Sequence, residues 1–211
     1  MHPFLKIAMF WGLLPFATFA YGQEKLPSTD APPAIVLRDA RGAEHRFPDQ
    51  DQEVKASVVI FLMTDCPVAN AMVPDLRDLA SRYAPLGIRF YGIFSGEKPE
   101  DIARHSEDYR ISFPCLLDDS GVLAEKCGAT RVPEAAIFDK NGKSIYRGRI
   151  DDRAVRIGRM KPVPAERNLA DALAALVAGK PLPPPQPATA GCFIPKQSSQ
   201  VTQQPNPQSN P

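Results

Sequence analysis

Cysteines are the residues of this chain best placed to do chemistry. Cys66 directly follows residues 56–63 (ASVVIFLM), an apolar, β-branched run typical of a strand buried on both faces, and it opens a helical segment. The carboxyl end of such a strand is where α/β folds tend to bind ligands, and the free N–H groups of a first helical turn stabilise a thiolate. The placement predicts a thiolate at Cys66 that attacks disulfides or peroxides. The competing interpretation is a buried, inert cysteine.

Histidines and metal-binding patterns add little to this site. His45 lies in a predicted loop, and His105 lies on a polar helical segment where we expect it to be solvated. A copper site would need soft ligands at paired positions, and Asn70 occupies the place of the second cysteine of a CxxxC motif. Apart from a weak pairing of Cys66 with His105, the sequence predicts no metal and no cofactor. It carries no phosphate-binding glycine loop and no nucleotide fingerprint.

The charge balance restricts the class of partner. The 211 residues carry 25 basic and 24 acidic side chains, and removal of the first twenty or so residues takes away Lys6 and leaves the two counts equal. A neutral chain lacks the basic surface that nucleic acids or anionic membranes attract, so we expect neither as a partner. Small thiols, peroxides and protein disulfides remain as substrates.

Both ends of the chain differ in composition from its middle. Lys6, the apolar residues 7–19 and the small residues Ala20 or Gly22 have the order of an export signal, so residues 1–22 are predicted to be a signal peptide. The apolar stretch is short for a membrane span, although an uncleaved anchor is the alternative. We therefore expect a periplasmic or secreted protein with no membrane span after cleavage, in a compartment where disulfides persist.

The middle of the chain, residues 23–180, is predicted to form one α/β domain. Its elements alternate in the order β–α–β–α–β–β–α, which implies a central mixed sheet with helices on both faces. Hydrophobic periodicity and turn residues predict strands at 56–63, 88–94, 135–138 and 143–147, and helices at 99–109 and 165–178. A further helix opens at Cys66, carries apolar residues at helical spacing from Met72 to Tyr83 and is kinked at Pro74.

Residues 181–211 form a separate region. The proline-rich residues 181–187 predict a stiff, extended spacer, and residues 196–211 are polar enough to be disordered. Between them lies the small apolar island 190–194 (AGCFI), which contains Cys192. We call residues 181–194 the strap. A stiff segment that ends in a cysteine and two apolar residues suggests that the island docks on the domain.

Two further cysteines have two interpretations. Cys115 and Cys127 flank a stretch that we expect to turn back on itself. In an oxidising compartment they could form a structural disulfide, or each could be a buried free thiol. Four cysteines permit three complete pairings, and the sequence alone does not choose among them.

Residues 61–74 (FLMTDCPVANAMVP) and 129–152 (ATRVPEAAIFDKNGKSIYRGRIDD) resemble the thioredoxin-like/AhpC-TSA redoxin superfamily. The resemblance implies a thioredoxin-like three-layer fold. It also implies that Cys66 is the amino-terminal redox cysteine and that Pro74 kinks the active-site helix. Pro133 would be a cis-proline that faces the sulfur and shapes the substrate cleft.

A narrower set of motifs is most similar to the peroxiredoxin-like 1 group. These motifs are the DCP triplet, RGRIDD at 147–152, the helix and proline segment 165–183 and the AGCFI ending, and the similarity runs from about residue 52 to 196. That group has a cysteine at the place of Cys192. Our working hypothesis is that Cys66 and Cys192 form the redox couple and that Cys115 and Cys127 form a structural disulfide.

The chain also departs from these families at three positions. Ala69 replaces the second cysteine of the thioredoxin CxxC, so Cys66 lacks the usual short-range partner. Met63 stands where peroxiredoxins place the threonine that orients the peroxide. Arg131 stands in the region where group members can carry a cysteine, and we expect it either to stabilise the Cys66 thiolate or an oxyanion, or to be a plain surface arginine.

The sequence thus predicts an exported, thiol-dependent, peroxiredoxin-like oxidoreductase with antioxidant activity. Cys66, Cys192, Pro133 and Arg131 are its candidate site residues. It would act on a peroxide or a protein disulfide and be restored by a periplasmic thiol reductant whose identity the sequence does not give. The alternative is a non-catalytic protein of the same fold that binds a partner or delivers a metal.

Overall fold

The structure, a computed structural model, describes residues 34–47, 49–187 and 190–195. The predicted signal peptide and the polar tail from residue 196 lie outside these ranges. Eleven strands are present in the described ranges: β1 (Ile35–Asp39), β2 (Glu44–Phe47), β3 (Ala56–Leu62), β4 (Ile88–Phe94), β5 (Cys115–Leu117), β6 (Arg131–Val132), β7 (Glu134–Asp139), β8 (Ser144–Arg149), β9 (Ala154–Arg156), β10 (Arg159–Met160) and β11 (Cys192–Phe193). The helices are α1 (Pro67–Tyr83), α2 (Pro99–Asp108), α3 (Val122–Cys127) and α4 (Asn168–Val177), with a 3-10 turn at Ala84–Leu86.

Seven strands form one mixed sheet in the order β2-β1-β5-β4-β3-β7-β8. Strand β4 runs parallel to β3 and β5, whereas β7 runs antiparallel to β3 and β8. The crossovers β3–α1–β4 and β4–α2–β5 run in the same direction along the sheet, so their right-handedness puts α1 and α2 on one face, while α3 covers the other. The predicted α/β architecture, a mixed sheet with helices on both faces, is confirmed.

The central strand and the helix that follows it hold the core together. Every side chain of β3 is buried, which matches its unbroken apolar run. Helix α1 buries Met72, Leu76 and Leu79, spaced three or four residues apart, against the sheet. Pro74 lies inside α1, where it removes one backbone donor.

The last helix starts later than the sequence predicts. Its expected start was residue 165, but α4 begins at Asn168. The reason is that the backbone N–H groups of Ala165 and Glu166 donate to the Asp152 carboxylate, at 2.8 and 3.1 Å, and hold these two residues in the preceding loop.

The proline-rich segment lies against the edge of the main sheet. The Gln186 N–H donates to the Arg147 carbonyl of β8 at 2.9 Å. Gly148 permits this approach, because a Cβ atom at that position would lie 2.6 Å from the Gln186 Cβ. Farther along, β11 pairs antiparallel with β6, so the cysteine-containing island 190–194 docks on the domain. None of the helices in the described ranges is both long and apolar enough to cross a membrane.

Candidate active site

Cys66 occupies the N-cap position of α1, immediately beyond the carboxyl end of the buried strand β3. A turn closed by its N–H and the Met63 carbonyl brings the chain from the strand into the helix. Pro67 suits the first helical position because that position needs no N–H donor. The Cys66 carbonyl accepts the N–H of Asn70 at 2.9 Å, and the residue is wholly buried.

Cys66 forms a disulfide with Cys192, and the two Cα atoms are 6.1 Å apart. The partner comes from a strand 126 residues farther along the chain. Cys192 pairs with Val132, and the Ile194 N–H donates to the Thr130 carbonyl at 3.0 Å. Backbone pairing of β11 with β6 thus holds Cys192 beside Cys66.

The Val132–Pro133 peptide is cis, as the resemblance implied. The Cys66 sulfur lies 3.9 Å from the Val132 carbonyl oxygen, so the proline loop borders the sulfur directly. Cys66, Cys192 and Pro133, three of the four candidate site residues, are therefore brought together. Their catalytic roles stay predictions.

Arg131 contacts the strap. Its Nη1 donates to the Gly191 carbonyl at 3.0 Å, and its guanidinium carbon lies 3.9 Å from the centre of the Phe193 ring. An arginine over an aromatic face at this distance makes a favourable cation–π contact. In the disulfide state Arg131 binds the backbone and the aromatic side chain on either side of Cys192, a function that the sequence analysis did not predict.

The expected disulfide between Cys115 and Cys127 is wrong. Both are buried free thiols, the first in β5 and the second at the end of α3. Burial raises the pKa of Cys115 to about 11 and that of Cys127 to about 12, with the nearby Asp118 and Glu134 charges adding to the effect at Cys127. The Cys115 thiol faces the Phe113 carbonyl at 3.8 Å. Both thiols are therefore predominantly protonated at neutral pH.

The expectation that His105 is solvated is also wrong, since only 5% of it is exposed. Its Nε2 lies 2.8 Å from the Asn70 Oδ1, while the Asn70 Nδ2 donates to the Thr64 carbonyl at 2.9 Å. Because the Asn70 amide group donates to Thr64, its oxygen faces the imidazole and accepts the Nε2–H of His105. The imidazole packs between Phe94 and Tyr109. Burial lowers the pKa of His105.

Glu97 is a site residue that the sequence analysis missed. Its carboxylate accepts the backbone N–H of Thr64 at 3.1 and 3.3 Å, which fixes the turn that leads into Cys66. Burial raises the pKa of Glu97. One signal was available, because Glu97 follows β4, and parallel neighbours such as β3 and β4 end at the same edge of a sheet.

Glu134 is a second missed residue, and it follows the cis-proline directly. It is wholly buried, and the nearest cation is the Arg147 guanidinium, whose Nε lies 3.3 Å from Oε1. Burial raises the pKa of Glu134, and Arg147 together with the N–H groups of Thr130 and Arg131 opposes this only in part. The Glu134 carboxyl group thus lies beside the backbone of Thr130 and Arg131, where β6 begins. Its signal in the sequence was an acid at the start of an apolar strand.

Metal binding has little to support it in this arrangement. In residues 34–47, 49–187 and 190–195, no three histidine, cysteine or acidic side chains come together in a way that would hold a metal ion. The groups that do meet at the sheet edge are two sulfurs, a cis-proline loop and a helix N-terminus. This arrangement can exchange one disulfide for another, with two electrons transferred in each cycle.

Comparison with known proteins agrees with this geometry. The chain is 27% identical over 111 residues to the thiol-disulfide oxidoreductase ResA of Geobacillus thermodenitrificans, a match that covers 53% of this chain and 63% of the relative. The chain therefore spans less than two thirds of the length of that curated relative.

Two solved structures of uncharacterised proteins are also similar. One, from Geobacillus kaustophilus, has a TM-score of 0.68 and 29% identity, covering 79% of this chain and 90% of the other. The second, from Sinorhizobium meliloti 1021, has a TM-score of 0.68 and 27% identity, covering 79% and 92%. The narrower resemblance to the peroxiredoxin-like 1 group stays a prediction.

The family comparison covers the sheet and the first half of the site. The AhpC/TSA family matches residues 25–147, which include Cys66 and the cis-proline loop and end before the strap that carries Cys192. This match spans more than half of the chain and agrees with the thioredoxin-like topology described above. The chain belongs to the AhpC/TSA family.

Proposed function

We propose that the protein is an exported thiol-disulfide oxidoreductase whose redox couple is Cys66 and Cys192. The observation that carries the proposal is the disulfide between these two residues at the N-terminus of α1, beside the cis-proline loop. The ResA relative supports the choice of disulfides as substrates. Export rests on residues 1–22 alone.

In the reduced protein, Cys66 is the attacking thiolate. Among the described residues, none in the first turn of α1 is acidic, and the helix dipole favours the thiolate form of the Cys66 sulfur. The thiolate attacks one sulfur of a substrate disulfide and forms a mixed disulfide, and the other substrate sulfur leaves as a thiolate that takes up a proton. Pro133 borders the reacting sulfur and shapes the cleft.

Cys192 completes the oxidation of the protein. Its thiolate attacks the Cys66 sulfur of the mixed disulfide, releases the second substrate thiol and forms the Cys66–Cys192 disulfide. The substrate has then gained two electrons and two protons, and the protein dithiol has lost them.

A dithiol reductant restores the protein, and burial decides where it attacks. Cys66 is wholly buried in the disulfide state, whereas Cys192 is partly exposed. The reductant thiolate therefore attacks Cys192 and releases Cys66 as a thiolate. Its second thiol then attacks the mixed disulfide and leaves Cys192 reduced.

Peroxide is the second candidate oxidant, and the family match supports testing it. A Cys66 thiolate that attacks a peroxide becomes a sulfenic acid and releases an alcohol or water. The Cys192 thiol then condenses with the sulfenic acid to form the same disulfide and a water molecule. Met63 occupies the place of the peroxide-orienting threonine, so we expect the disulfide reaction to be the faster one.

The test is the reduction of insulin disulfides by dithiothreitol in the presence of the protein. We expect the wild-type protein to accelerate it at least about tenfold, and Cys66→Ser to abolish the acceleration. Cys115→Ser is the matched control and should retain it. The proposal fails if Cys66→Ser retains the acceleration. If the wild-type protein reacts faster with hydrogen peroxide than with insulin, the peroxide reaction replaces the disulfide reaction. Absence of both reactions favours the partner-binding alternative.

A further inference from the structure

The strap forms strand β11, which pairs with β6 in a two-stranded sheet at the active site. Among the strands in the described part of the chain, β11 is the one partner of β6. It pairs Cys192 with Val132 and Phe193 with Arg131, and the Ile194 N–H reaches the Thr130 carbonyl. When the strap leaves, β6 presents unpaired backbone groups, which are the groups that bind an added extended segment.

The strap must leave before the protein acts on another disulfide. Cys66 is wholly buried while it is bonded to Cys192, so an incoming protein segment has no access to its sulfur. After reduction, the two-residue strand pairing and the contacts of Thr130 and Arg131 still favour the strap at β6, but no covalent bond holds it there, so another extended segment competes with it for this edge. Reduction of the disulfide therefore frees both the nucleophile and the β6 edge.

We infer that the β6 edge binds extended protein segments in which a cysteine is followed by an aromatic residue, and that residues 191–194 are the chain's own copy of such a segment. The inference rests on the proposed function and names its substrate class. The disulfide between Cys66 and Cys192 has the same bonding as the mixed disulfide between Cys66 and a substrate cysteine, so the strap shows how the substrate is aligned.

Arg131 recognises the residues on both sides of the bound cysteine. It donates a hydrogen bond to the carbonyl of Gly191, the residue before the cysteine, and this contact does not depend on the side chain there. Its contact with the Phe193 ring favours an aromatic side chain at the position after the cysteine. Gly191 is buried, which favours a small residue before the cysteine. Beyond the aromatic residue, Ile194 and Pro195 line an open cavity of about 880 Å³, which leaves room for larger side chains.

The exchange at this site is balanced. The Cys66 thiolate attacks the cysteine sulfur of the bound segment, and the former disulfide partner of that cysteine leaves as a thiolate. Cys192 then attacks Cys66 as the strap returns to β6, and the reduced segment is released. The strap therefore both competes with the substrate and displaces it.

The test uses the reduced full-length Cys192→Ser variant, which retains a mixed disulfide at Cys66. The probes are two pentapeptides, Ala-Gly-Cys-Phe-Ile and the same peptide with alanine in place of phenylalanine, each as a mixed disulfide with glutathione. Mass spectrometry follows the peptide adduct at Cys66. We expect the aromatic peptide to react about two to five times faster, the ratio that a cation–π contact at an exposed site supports.

Two further substitutions in this background separate recognition from folding. Arg131→Gln should bring the ratio of the two rates close to one, whereas Arg104→Gln, at an exposed site on α2, should leave the ratio unchanged. Phe193→Ala should increase the rate with the aromatic peptide, because the strap competes less well for β6. Phe193 is mostly exposed, so this change does not threaten the fold.

The outcomes distinguish the two proposals. Equal rates for the two peptides, a ratio that survives Arg131→Gln, or a rate that Phe193→Ala leaves unchanged would each overturn the segment-binding inference while leaving Cys66 as the nucleophile. If neither peptide disulfide forms an adduct at Cys66, the proposed function fails and the inference fails with it.

Discussion

The four cysteines form two pairs that contrast in their surroundings. Cys66 and Cys192 meet at the carboxyl edge of the sheet, one at a helix N-terminus and one on a strap attached mainly by its backbone. Cys115 and Cys127 lie inside the domain, where burial raises the pKa of both thiols. Cys66 is also wholly buried in the disulfide state, so the two pairs differ in what surrounds the sulfurs: a helix N-terminus and a strap for the first pair, and the interior of the domain for the second. Spacing in the sequence does not reveal that difference.

The largest expected effect is in the alkylation rates of the reduced protein. With pKa values of about 11 and about 12, Cys115 and Cys127 are thiolates in only about 10⁻⁴ and 10⁻⁵ of molecules at pH 7. Cys66 should therefore react with iodoacetamide at least about a hundred times faster, as measured by peptide mass spectrometry after timed quenching. Comparable labelling of Cys115 or Cys127 in the folded protein would contradict the contrast.

A second prediction compares the two pairs through stability. The Cys66–Cys192 disulfide closes a loop of 126 residues, so Cys192→Ser should lower the free energy of unfolding of the oxidised protein by about 4 to 5 kcal/mol. Cys115→Ser, which buries a hydroxyl, should lower it by about 1 to 3 kcal/mol. Urea unfolding measures both changes.

The control for this prediction is the reduced wild-type protein. It lacks the same cross-link, so its unfolding midpoint should match that of Cys192→Ser. A clear difference between the two midpoints would mean that the serine acts through something other than the missing disulfide.

Glu134→Gln tests the buried acid beside Cys127. Burial raises the pKa of Glu134, so the folded state retains a proton that the unfolded state loses above about pH 4.5. Wild-type stability should therefore fall relative to Glu134→Gln as the pH rises from 4.5 toward the raised pKa, and then level off. Urea unfolding of both proteins across this range gives the difference; a difference that is constant with pH would show that Glu134 is not perturbed.

The smallest expected effect concerns His105, which lies behind the Cys66 turn. Burial lowers the pKa of His105, so as the pH falls below about 6.5 the unfolded state binds a proton at this histidine before the folded state does. This contribution to stability is complete above pH 6.5 and is lost as the pH falls below it. His105→Gln should remove that part of the pH dependence, which urea unfolding of this variant and the wild-type protein on either side of pH 6.5 measures; an unchanged pH dependence would contradict the prediction.

Long, uniformly apolar elements were predictable from the sequence. Strands β3 and β4 and the apolar face of α1 appear where the pattern put them. The position of Cys66 was predictable from the same pattern, because a residue between a buried strand and a helix must lie at the carboxyl end of the strand and at the N-terminus of the helix. The pairing with Cys192 came from the resemblance.

Short elements and buried polar groups were not predictable. Strands β6 and β11 have two residues each and exist because distant parts of the chain meet, so neither has a pattern of its own. The same reasoning applies to His105, because the groups that bury it belong to other elements. Cys115 and Cys127 were paired by their closeness in sequence, which says nothing about the separate places that β5 and α3 give their thiols.

The contact between Gln186 and β8 makes the strap a short tether. The hydrogen bond to Arg147 and the close approach over Gly148 do not depend on the disulfide, so they fix the strap six residues before Cys192. Six residues reach at most about 20 Å. One thiol confined to a sphere of that radius has an effective concentration of about 50 mM at Cys66. A free thiol in solution would have to exceed that concentration to compete, so in the proposed cycle a substrate bound to Cys66 would be released by the protein's own strap before another thiol intervenes.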